Sequence, residues 1–407
     1  MGRLAAGLLA GLVVCTAQAQ AQAQAQEALR PEVGKPLQAA QELIKAQKYK
    51  DALAKVRDAD AVPGKSANES LMVERMRIAA ASGAGDVETA AKAFEVISAS
   101  GKVSAADKSR MIESIAGSYY RAGNYAKALQ WSQRYLNEGG TNPAIRTLLI
   151  QSQYLSGDYA GAARELTTEI QAAEKNGTPP GEDRLKLLLN AALKLGDNST
   201  YVYTVEKLVT YYPKKEYWVD LLSRMQRKPG FSDRLALDAY RLSLATGSMS
   251  AAADYMEMAQ LSVQAGFAGE AKQVLDKGFA AGVLGAGTEG ARHKRLRDLV
   301  DKKLAEAQAA QAQTDKEAGA AKDGAELVKA GFNQVFAGQG TAGLARMQQG
   351  LAQGVTKHPN DAKLHLGVAY WLSGDVAKAQ SAFKTVSGTD GTADLARLWS
   401  LFARRKA

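Results

Sequence analysis

Apolar residues along most of this chain recur at helical spacing, and no stretch shows the alternation of several strands in succession. Met111, Ile115 and Tyr119 fall at i, i+4 and i+8, one face of a helix that Ser104-x-x-Asp107 introduces in the layout of a capping box. Asn142-Pro143 supplies an N-cap and a first-turn proline for a helix running toward Ser156. The clearest unit is His358 to Phe383, HPNDAKLHLGVAYWLSGDVAKAQSAF. Its small residues Gly367 and Ala379 let two antiparallel helices approach, while Leu366, Tyr370 and Phe383 fill the seam. Gly374, lacking Cβ, turns the chain where φ > 0 is needed.

The same offsets recur upstream. Taking as marker the residue two after the turn glycine and three before a small residue, Val376 is matched by Val87, Tyr125 and Tyr159. Tyr49 matches with Gln47 in place of glycine, and Ala268 keeps glycine and alanine without the aromatic. Interpolation places weaker units at Gly196-Asp-Asn198, Gly230-Phe-Ser232 and Gly338-Gln-Gly340. Markers at 49, 87, 125, 159, 198, 232 and 268 are 38, 38, 34, 39, 34 and 36 residues apart, and 340 to 376 is again 36. With its Leu-Gly-x-x-Tyr, Ala and Phe positions, the chain resembles the tetratricopeptide repeats, helix–turn–helix units of about 34 residues. That resemblance implies an all-α, right-handed superhelical solenoid of antiparallel helix pairs, whose function lies in a surface.

The pattern changes between Gly278 and Gly324. Gly278 to Gly290 is glycine-rich, Arg292 to Gln313 is charged and alanine-rich with a partial stripe of Leu296, Leu299, Val300 and Leu304, and Asp315 to Asp323 is polar and low in complexity. The expected organisation is therefore a leader over 1–26, a main superhelix over 33–288, a charged helical spacer over 289–323 and a C-terminal repeat module over 324–404. Thr392 to Arg404 would be the helix that caps the terminal repeat against water.

The leader has Arg3, an apolar run from Leu4 to Val14 too short to span a bilayer permanently, and Ala17-Gln18-Ala19 as a small-x-small cleavage site. This predicts an exported, periplasmic or secreted protein. Cys15, the single cysteine, follows Val14 where lipid attachment needs a small residue, so the expectation is a cleaved form without a lipid anchor and without a thiol. The formal net charge of +10 would attract an acidic partner, but the cations are spread along the chain as on an ordinary solvated exterior.

Candidate chemistry is sparse. The three histidines, His293, His358 and His365, form no metal motif, and Pro359 separates the helix carrying His365 from His358. His365 is expected on a helix surface. Gly285-x-Gly287-x-x-Gly290 matches a dinucleotide fingerprint as a string, but a helix precedes it where that fingerprint requires a strand. The acidic pair Glu182-Asp183 suits a helix's first turn. The basic run Arg292-His293-Lys294-Arg295-x-Arg297 has the charge to touch nucleic acid or anionic lipid, but it lacks interleaved aromatics and export removes most nucleic-acid partners, so a solvated helix face is expected. No catalytic, cofactor-binding or metal residue is assigned, and no cofactor is expected.

In the repeat family the first helix of each unit lines a concave groove. The resemblance thus points to Arg75, Arg110, Glu113, Tyr120 and Arg121, to Gln151, Tyr154, Lys186, Asn190, Met256 and Gln260, and to Leu364 and Trp371. Arginine, tyrosine and amide side chains suit a protein or peptide partner in the cell envelope. A narrower resemblance, carried by Tyr212-Pro213-Lys214-Lys215-x-Tyr217-Trp218 and the segment Ala252 to Leu284, is to periplasmic repeat proteins found beside TonB-type energy-transduction systems. It implies an accessory role in TonB-dependent uptake. The reading is a non-enzymatic scaffold; the competing ones are a non-catalytic subunit of a cell-wall-acting enzyme and a sugar- or lipid-binding solenoid.

Overall fold

The computed structural model describes residues 29–404, so the leader and Cys15 lie outside the described residues. Two compact units divide between Gly157 and Asp158, a division that does not coincide with boundaries at 288 and 324. The first unit holds α1 (Pro31–Lys45), α2 (Tyr49–Asp60), α3 (Ala67–Ala84), α4 (Val87–Ala99), α5 (Ala105–Arg121), α6 (Tyr125–Asn137) and α7 (Pro143–Ser156). The second holds α8 (Tyr159–Lys175), α9 (Glu182–Leu195), α10 (Asn198–Tyr211), α11 (Lys215–Gln226), a 3₁₀ turn (Asp233–Leu235), α12 (Ala236–Thr246), α13 (Ala252–Gln264) and α14 (Ala268–Ala280). It continues through α15 (Gly290–Ala320), α16 (Ala325–Phe336), α17 (Gly340–Gln353), α18 (Pro359–Leu372), α19 (Val376–Lys384) and α20 (Thr392–Ala403). The described residues contain no strand, and the fold is all-α and tetratricopeptide-like.

The spacing ruler locates the elements closely. Tyr49, Val87, Tyr125, Tyr159, Asn198, Ala268, Gly340 and Val376 are each the first residue of a second helix. The exception is Ser232, where a loop and the 3₁₀ turn delay α12 to Ala236. Gly374 has φ +84°, and Gln47, standing where the other units have glycine, is itself left-handed at φ +58°. At Ser104 half of the expected capping box forms. Its hydroxyl accepts from the Asp107 N–H at 3.1 Å, but the Asp107 carboxylate takes the Ser104 hydroxyl and Arg110 and leaves the Ser104 backbone N–H alone.

Core packing follows the small-against-large rule. The Phe383 ring lies over Gly367, where an added Cβ would come within 2.4 Å of it, and Ala379 is fully buried. The closest crossing is between α16 and α17. A Cβ on Gly331 would meet the Gly343 carbonyl oxygen at 2.5 Å, and one on Gly343 would meet that of Gly331 at 2.5 Å. Gly324 and Gly350, seven residues away on either side, repeat the arrangement, so backbone lies on backbone along the pair.

The second unit is drawn together by ions. Arg241 on α12 sits in the core and donates from Nε and Nη2 to the two Glu270 carboxylate oxygens, each at 2.7 Å, and from Nη1 to Asp238 at 2.7 Å. Its guanidinium lies 5.0 Å from the ring centres of Phe267 and Phe332. His365 of α18 donates from Nε2 to Asp238 at 2.9 Å and stacks on Phe332 at 5.1 Å. His365 is therefore part of a buried network and not the solvent-facing helix residue expected, because α18 packs across α16 toward α12. Burial alone would raise the Asp238 carboxyl, but His365 and Arg241 hold it well below the usual range. Nearby, Arg234 clamps Asp361 and Asp390 at 2.9 and 2.7 Å, and Phe231 packs on Gly391. Beyond these contacts, α20 packs on α10 and α12 in addition to α18 and α19.

Three substitutions test this packing. Helix propensity alone would make Gly331→Ala stabilising by about 0.5–1 kcal/mol. The carbonyl opposite cannot move aside as a side chain can, so the variant is expected to lose about 1–3 kcal/mol in urea unfolding. Gly117→Ala in α5, whose Cβ would meet only the Arg121 guanidinium tip at 3.4 Å, should instead gain stability. Arg241→Met leaves Asp238 and Glu270 buried without their cation, and a loss of about 3–5 kcal/mol is expected by the same measurement.

Candidate functional site

In the first unit the backbones of α1 and α3, α3 and α5, and α5 and α7 approach closely, while α4 and α6 stand further apart and meet through long side chains, Lys127 with Glu88, Arg134 with Glu95 and Phe94 with Trp131. The first helices of successive pairs thus form the closely spaced layer, the side on which the family's groove residues were placed. Asp107 organises its charge. It holds Arg110 at 2.6 Å and lies 3.9 Å from Arg75, and the Ser104 hydroxyl, followed by Arg110, keeps its carboxyl below the usual range. Arg110 remains 74% exposed. Arg121, also exposed, donates to Ser118 at 2.9 Å, and Tyr120 packs edge-on against Tyr125. Gln151 and Tyr154 are half-buried on α7. Glu113 faces inward to the Asn142 cap, accepting from its Nδ2 at 3.2 Å, and pushes up the Tyr135 phenol by hydrogen bonding to it. The face therefore presents arginine, tyrosine and amide groups, with Glu113 serving the fold.

The sites named in the second unit are not brought together. Lys186 and Asn190 are exposed one turn apart on α9. Met256 is buried on α13, and with Gln260 it borders a hollow of about 400 Å³ facing the Gly287 loop and His293. That loop leads into α15, with the Gly285 N–H donating to His293 Nδ1 at 3.1 Å. Leu364 is completely buried, so its assignment to the groove is corrected: it is a core residue of α18. Trp371 is half-buried and packs on Trp399 at 5.2 Å and Phe402 at 5.4 Å, joining α18 to α20.

The segment Tyr212–Trp218 is a latch. Tyr212 donates to the Pro180 carbonyl at 2.8 Å, while Lys214 and Tyr217 both donate to Glu182 Oε1, at 2.6 and 2.5 Å. Glu182 and Asp183 do lie in the first turn of α9. Hydrogen bonds from Lys214, Tyr217 and Lys186 hold the Glu182 carboxyl down to about 2, and burial pushes the Tyr217 phenol up to about 12.

Sequence reasoning missed a groove of about 1310 Å³ within the second unit. It runs along α11, walled by the start of α10 and by α20. Tyr217, Trp218, Leu221, Leu222 and Met225 already supply the buried face of α11. Val219, 46% exposed among charges, is the extra apolar residue that would have given the groove away. Among the described residues no group of three or more His, Cys, Asp or Glu side chains is placed to hold a metal, and no helix is long and apolar enough to cross a membrane.

No family profile matches this sequence, and no curated protein is similar to it in sequence. Among solved structures it is similar to yeast Tom70, at 12% identity and a TM-score of 0.25 over 92% of this chain and 96% of that one. The P58(IPK) TPR domain is similar at 12% identity and a TM-score of 0.22, over 92% and 98% of the two chains. The Cut9–Hcn1 hetero-tetramer of the APC/C is similar at 11% and 0.23, over 93% and 77%.

The Glu182 latch has a pH signature. Its folded value of about 2 lies below the unfolded value near about 4.3. Its stabilisation is therefore complete above about pH 4.3 and lost as the pH falls toward 2. Glu182→Gln should lower the melting temperature at pH 6 and flatten its decline between pH 4.5 and 2, followed by circular dichroism.

Proposed function

We propose that this chain is a non-enzymatic scaffold of the cell envelope that holds an extended peptide or a helix of a protein partner on the first-helix face of its first unit. The observation that carries this reading is the layer made by α3, α5 and α7, which sets Arg75, Arg110, Tyr120, Arg121, Gln151 and Tyr154 on the first helices of consecutive units. Guanidinium and phenol groups on a rigid helical layer contact a partner with little ordering of their own. Export rests on the leader sequence, and a service to TonB-dependent uptake rests on the resemblance of Tyr212–Trp218. The latch made by that segment supplies a reason internal to the fold for the same residues.

The test uses the chain without residues 1–26 as bait for envelope extract. Wild type should retain a specific partner, and Arg110→Glu combined with Arg121→Glu should abolish its capture. The melting temperature should change little, since exposed charge changes of this kind are worth about 1 kcal/mol or less. Unchanged capture would remove this face from the reading, and cleavage of purified peptidoglycan by the chain would remove the scaffold itself.

A further inference from the structure

The groove along α11 carries chemistry that the first unit's face does not, and we propose that it binds an extended acidic peptide with an apolar residue at its centre. Its floor is apolar, with Val219 exposed between Val202 and Leu398 of the two walls. Five cations line it, Lys215, Arg224, Arg227, Lys228 and Arg397, against three anions, Glu216, Asp220 and Asp394, an excess of two. Most of these cancel internally. Arg224 pairs with Asp220 at 3.1 Å, Lys228 with Asp394 at 2.8 Å, and Arg397 with Glu206. Lys215 and Arg227, at opposite ends of α11, have no carboxylate partner among the described residues, and Glu216 beside Lys215 is likewise unpaired.

The separation of the two free cations selects the ligand. Twelve positions along a helix amount to about 18 Å, which an extended peptide spans with about five or six residues. A ligand with one anionic head, such as a fatty acid, can neutralise only one of them. The volume, about 1310 Å³, also exceeds the roughly 300–1,000 Å³ of sites that enclose a drug-sized molecule. A peptide with carboxylates toward both ends and a branched apolar side chain over Val219 satisfies all three features. This site is independent of the first unit's face and does not rest on the scaffold reading.

The experiment measures fluorescence anisotropy of a labelled heptapeptide, two glutamates at each end enclosing leucine, alanine and leucine, titrated with the purified chain. A counterpart with lysine for every glutamate is the second probe, and dodecanoate is a competitor. The acidic peptide is expected to bind in the micromolar range and the basic one not to saturate. Lys215→Glu with Arg227→Glu should weaken the acidic peptide about tenfold or more at unchanged melting temperature. Val219→Asp should weaken it similarly, and Arg110→Glu with Arg121→Glu should leave it unchanged. Equal binding of both peptides, no saturation at millimolar protein, indifference to the α11 charge reversal, or equally tight displacement by dodecanoate would each overturn the proposal.

Discussion

A single guanidinium organises the second unit. Arg241 is desolvated, and the only way to hold a cation there is to surround it with anions and ring faces, which Glu270, Asp238, Phe267 and Phe332 provide. Two carboxylates around one cation leave a net negative charge. The hydrogen bond from His365 to Asp238 places a donor on that excess. Because these groups come from α12, the start of α14, α16 and α18, satisfying the cation also fixes where four parts of the chain must meet. Buried ion sets add little to stability compared with apolar packing; what this one supplies is a unique mutual placement.

The helical pairs were legible because their determinants are local. A turn residue in the left-handed region, a marker two positions later and a small residue three beyond that act within a few residues, so spacing alone locates the second helices. The ruler failed at Ser232 for a tertiary reason. The chain from Phe231 to Arg234 is held by Gly391, Asp361 and Asp390, and a long-range clamp replaces the local turn. The glycine-on-glycine crossing of α16 and α17 was likewise invisible, since a heptad of glycines reads as weak helix until its partner helix is known.

The surface chemistry was only partly legible. Arg75, Arg110 and Arg121 were named from register, and they do occupy first helices, but register says nothing about which neighbours claim a side chain. Glu113 is taken by a cap of the next helix and Leu364 by the core, each because another element approaches from a direction the repeat does not encode. The converse error concerns α11. Val219 is unremarkable in isolation and becomes the floor of a groove only because α20, from the far end of the unit, forms the opposing wall.

The reach of that return has a consequence for assembly. In an array whose units touch only their neighbours, folding can begin anywhere and spread. Here Arg241 is paired within its own neighbourhood by Asp238 and Glu270, but the set closes only when His365, 124 positions later, arrives. Loop-closure entropy must be met before those contacts form. Completion of this network therefore waits on α18, and until that helix has been made Asp238 lacks its histidine donor.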